Sequence, residues 1–160
     1  MHLLIAAVGR LKQGPERELA QHYAGRVGAA GRSHAFAPLE IAELPESRAA
    51  TPELRKADEA GRLLSAAGKA ESLVMLDETG KPQTSRAFAE FLRTKRDAGC
   101  ARMAFVIGGP DGHGAEIKRK AALILPLGAM TLPHGLARIV LLEQIYRAVT
   151  IISGHPYHRD

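Results

Sequence analysis

Five consecutive residues, His155-Pro156-Tyr157-His158-Arg159, bring two imidazoles, a phenol and a guanidinium together. An imidazole can relay a proton near neutral pH. A phenol can stack on a nucleobase and a guanidinium can contact phosphate. Tails are usually frayed and silent, but this one follows a strongly apolar segment able to hold it in place. His155 and His158 also have the look of half a zinc site. No acidic or cysteine ligands are grouped near them and Pro156 opposes a helix, so metal binding is not expected. Cys100, the single cysteine, lies in a polar turn without an evident base and is read as inert.

Two turns carry a second kind of signal. GGPDGHG at 108–114 breaks a strand-like run, and glycine lets backbone approach a ligand closely. Asp77-Glu78-Thr79-Gly80 follows another such run, which puts Leu76 at a strand's carboxyl end. Small molecules bind α/β proteins at that end of parallel strands. Taken singly, each stretch reads as a plain turn. The spacing of the glycines does not match GxGxxG, and neither GxxxxGK[ST] nor GxSxG occurs, which counts against dinucleotide, P-loop and serine-hydrolase chemistry.

The elements that must position these residues alternate between strand and helix patterns. Continuous apolar runs at 2–8, 72–77 and 102–107 predict buried strands, with a further strand at 34–43. Helices are predicted from Pro15 to about Val27, from Thr51-Pro52 to Gly68, from a Ser85 cap through Phe88, Phe91 and Leu92, over about 115–122, and over about 135–152. An apolar stretch runs on to Leu127, and AMTL at 129–132 leads into Pro133. No repeat or linker interrupts the chain. The alternation predicts one α/β domain over 1–160, with a mostly parallel sheet and helices on both faces.

The last helix is apolar on nearly every side: Leu136, Ile139, Val140, Leu141, Leu142, Ile145, Val149, Ile151 and Ile152. One face belongs on the sheet. The other calls for a partner, which predicts a homodimer; the alternative is a helix sunk in a single core. Glu143 and Arg147 have the order and spacing of a helical ion pair.

The 160 residues suit one domain, and 46% hydrophobic residues suffice for an ordinary core. One cysteine excludes an internal disulfide and fits a reducing compartment. No run is long enough to span a membrane, and the first apolar stretch reads as a strand and not a signal peptide. A cytosolic protein is expected. The net charge of +5 suits a polyanion such as RNA.

AVG at 7–9, LDETGK at 76–81, FVIGGPDGH at 105–113, MTLPHGLARIVLLEQIYRA at 130–148 and HPYHR at 155–159 occur in one order along the whole chain. Together they resemble the ribosomal RNA large subunit methyltransferase H family, pseudouridine N3-methyltransferases of the SPOUT superfamily. The resemblance implies a C-terminal trefoil knot, a homodimer and a pocket for S-adenosylmethionine made by knot loops. It gives that pocket Leu76, Gly108 and the loop Leu127, Gly128, Ala129, Met130, Thr131 and Leu132. It also implies a substrate pseudouridine in a stem-loop of large-subunit (23S) rRNA, met in the assembled ribosome. Gly135 after TLPH departs from the pattern and implies a looser start to the last helix.

Such an enzyme must ready N3 of the base, an imide N–H that is a weak nucleophile until its proton is lost or shared. A cation beside it would stabilise the anion. The candidates are Arg138, His155, Tyr157, His158 and Arg159, with His158 as a proton acceptor; His134 is assigned a structural role in capping the helix entry. In a dimer, the tail of one subunit is expected to complete the site of the other. Two other readings remain at this stage: a SPOUT-type enzyme acting on another RNA such as tRNA, and a noncatalytic RNA-binding module.

Overall fold

The computed structural model describes residues 1–159. Ten elements alternate: β1 (His2–Val8), α1 (Pro15–Arg32), β2 (Leu39–Leu44), α2 (Pro52–Ala67), β3 (Ser72–Leu76), α3 (Ser85–Asp97), β4 (Arg102–Ile107), α4 (Ala115–Lys120), β5 (Leu123–Leu125) and α5 (His134–Ser153). The strands form one sheet in the order β2-β1-β4-β3-β5. Every neighbouring pair is parallel, so the loops following the strands share one edge.

Side-chain alternation along the strands divides the core in two. Leu3, Ile5, Ala7, Val74, Met103, Phe105 and Ile107 face α1, α3 and α5. Leu4, Ala6, Val8, Leu73, Met75, Ala104 and Val106 face α2 and α4. Burial on both faces explains why β1, β3 and β4 are continuously apolar after their first residues. α4 and α5 lie on opposite faces, and the chain passes between them through β5, the edge strand beside β3.

α5 is packed between α1 and α3. Leu141, Leu142, Ile145, Ala148 and Val149 are fully enclosed within the chain, and Leu136 is its one large hydrophobic side chain more than a third exposed, at 42%. The helix is therefore sunk in the chain's own core, and its apolar character alone does not call for a partner.

Several local expectations are corrected. α1 continues to Arg32, because the turn that ends it sends Phe36 into the core, where its N–H bonds to the Gly31 carbonyl at 2.8 Å. Residues 34–38 belong to that turn, so β2 begins only at Leu39. Thr84, and not Ser85, caps α3, its hydroxyl accepting from the Ala87 N–H at 3.1 Å. Pro133 precedes α5 and no side chain caps that helix, so His134 does not cap it. Gly135 is buried within α5 and not loose. Among the described residues no helix is long and apolar enough to cross a membrane.

Candidate active site

The carboxyl edge of the sheet opens into a cleft of about 510 Å³. That lies within the roughly 300–1,000 Å³ of small-molecule sites. One wall is the segment Leu125, Pro126, Leu127, Gly128 and Ala129; Phe88 of α3 and Val140 of α5 add apolar surface. Glu78, Gln83, Thr84, Ser85 and Gln144 supply polar side chains. Two glycines shape the walls. A Cβ at Gly80 would sit 2.3 Å from the Ile124 carbonyl oxygen, so only glycine lets the turn after β3 close against β5. Gly128 has φ +136°, a conformation that side chains resist.

The ends of β3 and β4 meet on one imidazole. His113 Nε2 lies 2.9 Å from the Leu76 carbonyl and 3.2 Å from the Gly108 N–H, donating to the first or accepting from the second according to its tautomer. Burial pushes the His113 pKa down, against the pull of the Leu76 carbonyl and the charges of Asp77 and Glu59. Leu76 is in turn the ladder partner of Leu125, at the cleft. Asp77 pins the adjoining turn by accepting from the Thr79 N–H at 2.9 Å and its hydroxyl at 2.6 Å. Burial would raise the Asp77 carboxyl, but these bonds outweigh it and hold the group below its ordinary value.

The tail folds back on α5. The Tyr157 ring packs edge-on to Tyr146, with centroids 4.7 Å apart, and the guanidinium carbons of Arg147 and Arg26 lie 4.9 and 5.1 Å from its centre. Its hydroxyl donates to Glu143 Oε1 at 3.0 Å. Burial, then bonds with Tyr23 and Glu143, push this phenol well above its ordinary pKa. Arg147 pairs with the same Glu143 oxygen, and its Nη1 is 3.4 Å from His158 Nδ1. Glu143 also accepts from Gln144 Nε2 at 2.7 Å, and Gln144 Oε1 accepts from Ser85 Oγ at 2.8 Å. A continuous polar chain thus runs from the cleft wall to the tail. His155 is exposed, its Nδ1 accepting from the Tyr157 N–H at 3.2 Å.

Arg138 lies apart from this chain. It is 2% exposed, forms an ion pair with Glu43 and donates from Nη2 to the Gly9 carbonyl at 2.9 Å. It is a buried cation bracing the loop after β1, not a surface group.

A family pattern described as "Predicted SPOUT methyltransferase" matches residues 1–158. The chain belongs to the SPOUT methyltransferase family. A relative from Nitrobacter winogradskyi named ribosomal RNA large subunit methyltransferase H is 52% identical over 159 residues, 99% of each chain. Another of that name, from Brucella anthropi, is 47% identical over 160 residues and covers both chains completely. A probable methylase family protein from Haemophilus influenzae shares the fold, with a TM-score of 0.52 at 14% identity over 99% of this chain and 70% of that one.

In this SPOUT chain Leu127, Gly128 and Ala129 line the cleft, while Leu76 and Gly108 stand behind it on His113. Met130 is 84% exposed, and Thr131 and Leu132 lie outside the cleft lining. His155, Tyr157 and His158 gather at the far end of α5, and Tyr157 is joined to the cleft through Glu143 and Gln144. Sequence reasoning missed His113, Glu43 and Glu59. A histidine in a glycine-rich turn directly after a buried strand was the available signal for the first; the other two had none. Cys100 donates to the Arg102 carbonyl, and burial pushes its thiol up, away from reactivity.

Proposed function

We propose that this SPOUT chain transfers a methyl group from S-adenosylmethionine to N3 of a pseudouridine in a stem-loop of large-subunit (23S) ribosomal RNA, acting in the cytoplasm as a homodimer on the assembled ribosome. One observation carries the reading. The segment that the family resemblance gives to the methyl donor, Leu127–Ala129, forms a wall of the cleft at the carboxyl edge. Support for the RNA substrate comes from the names of relatives about half identical along the whole chain, 52% and 47%.

The cleft's residues fit such a cofactor. Backbone groups of 127–129 are available to read an adenine edge, and Phe88 and Val140 exclude water around it. Glu78 offers a carboxylate to a cationic group. When bound, the cofactor supplies an activated methyl on a sulfonium. The chain's own task is to hold the base and manage its N3 proton. His158, beside Arg147, is the candidate proton acceptor, and Arg159 the candidate phosphate contact. Tyr157 fixes the tail and stays protonated. Arg138, braced on Glu43, acts through position and does not touch the base.

Exposed Leu19 and Leu136, on the packed helices α1 and α5, support pairing of two subunits. The reading includes the C-terminal trefoil knot that the resemblance implies. The test is methylation of ribosomes lacking the modification, with the product mapped by mass spectrometry. One methyl on a single pseudouridine of large-subunit rRNA is expected. Methyl only on tRNA, or RNA binding without methyl transfer, would replace this reading with one of its rivals. Deleting residues 155–160 should abolish transfer while leaving cofactor affinity largely intact.

A further inference from the structure

We infer that the loops after β1 and β2 form a basic ledge that grips the phosphate backbone of the RNA beside the cleft, with Arg138 and Glu59 as its positioning residues. The inference rests on the RNA-methylation reading and names the surface that such a substrate would need.

β1 and β2 are adjacent and parallel, so residues 9–14 and 45–51 emerge side by side at the same edge as the cleft. Both loops are fixed from beneath. In the first, Glu43 Oε1 accepts from the Leu11 N–H at 3.0 Å, Arg17 donates to the Leu11 carbonyl at 2.9 Å, and Arg138 holds the Gly9 carbonyl. In the second, Glu59 Oε1 accepts from the Ser47 N–H at 2.8 Å and Arg62 donates to the Pro45 carbonyl, also at 2.8 Å. Arg138 is 2% exposed and Glu59 3%.

Burying a charge is costly and is repaid only by good partners. Here two buried charges of opposite sign each fasten a surface loop. What those loops display explains the arrangement. Arg10, Lys12 and Arg48 are exposed, and none forms an ion pair among the described residues. Within the two loops one exposed carboxylate, Glu46, opposes these three cations. Glu16, Glu18 and Glu53 belong to the first turns of α1 and α2, where the helix dipole favours them. Leu11 is only half-exposed and no large apolar side chain projects from either loop, which speaks against a membrane surface. Cations carried on two braced, neighbouring loops without apolar anchors match a phosphate backbone.

The test is equilibrium binding of large-subunit rRNA by the full chain across a salt series, comparing wild type with Arg10→Ala/Lys12→Ala/Arg48→Ala. Each phosphate contact adds about 0.7–0.9 to the slope of log affinity against log salt. The triple variant should lose about 2 units of slope and roughly 10-fold or more in affinity at about 0.1 M salt, with S-adenosylmethionine affinity unchanged. Undiminished slope and affinity would overturn the ledge and leave the methyltransferase reading standing. A wild-type chain that binds neither cofactor nor rRNA would overturn both. Arg138→Lys, which keeps the charge, should retain more of the salt slope than Arg138→Met. Because the triple variant changes only exposed groups, the outcome does not depend on whether the Arg138 variants fold.

Discussion

A buried histidine shared between two strand ends has a definite cost in acid. His113 has its pKa held below the ordinary 6.5 by burial, so the unfolded chain takes up the proton first as pH falls. Its contribution is complete above about pH 6.5 and is lost as pH drops below that value. We expect the wild-type Tm to fall between about pH 7 and 5.5. His113→Asn should start lower, by about 1–3 kcal/mol, and decline less over that window; identical pH slopes would contradict the assignment. The depressed carboxyls of Asp77 and Glu43 act in a separate, lower window, since their contribution erodes only as pH falls through the carboxylate range. For Glu43, burial pushes upward, but the Leu11 N–H and Arg138 outweigh it.

Tyr157 is the other residue with a separable role. Its ring is held by Tyr146, Arg26 and Arg147, and its hydroxyl by Glu143. Tyr157→Phe keeps the stacking and loses the hydroxyl's bonds with Glu143 and Tyr23, the first alone worth about 0.5–1.5 kcal/mol. That predicts a fall of about 2- to 10-fold in methyl transfer with cofactor affinity unchanged, and a larger fall for Tyr157→Ala. Because the phenol is pushed upward, no rate inflection from its ionisation is expected below about pH 10. A Tyr157→Ala chain with the wild-type rate would show that the tail's docking is irrelevant.

At the scale of elements, α5 does most to organise the molecule. It packs on α1 and α3, lends Val140 and Gln144 to the cleft and seats the tail. Ile145→Ala opens a cavity at a fully enclosed position and should cost about 2–5 kcal/mol, or roughly 5–15 °C in Tm by calorimetry. Leu136→Glu, at a position 42% exposed, should cost far less stability yet shift sedimentation from dimer toward monomer. A chain that sediments as a monomer without substitution would remove the dimer from the account.

What the sequence could convey follows from how each element is stabilised. β1, β3, β4 and α5 are enclosed on several sides, so their residues are predominantly apolar and legible in one dimension. β2 is an edge strand whose burial is partial, and Phe36, outside it, supplies apolar weight that drew the expected strand too far back. β5 has only three residues and merges with the apolar run around it. The wall at Leu127–Ala129 was legible through family likeness alone, because small and apolar loop residues carry no chemical signature of their own. Arg138 shows the limit in the other direction. Its type and place on a helix suggested chemistry on RNA, whereas its partner Glu43 lies 95 residues away and only the fold brings them together.

For the whole molecule, the carboxyl edge unites what the chain keeps apart: the cleft over β3 and β5, the basic loops over β1 and β2, and α5 carrying the tail beside them. A ligand that binds only the folded state stabilises by mass action, by about 2.7 kcal/mol at a concentration 100 times its dissociation constant. S-adenosylmethionine at that ratio should therefore raise Tm by roughly 5–10 °C. The most direct test of the central claim is calorimetric titration of S-adenosylmethionine into the wild-type chain and into Val140→Phe, which fills the cleft beside Leu127–Ala129. The account predicts one site per chain in wild type and a loss of at least about 10-fold in the variant, equivalent to 1.4 kcal/mol, with the ligand-free Tm little changed. Equal affinity in both chains would mean that the methyl donor binds somewhere else.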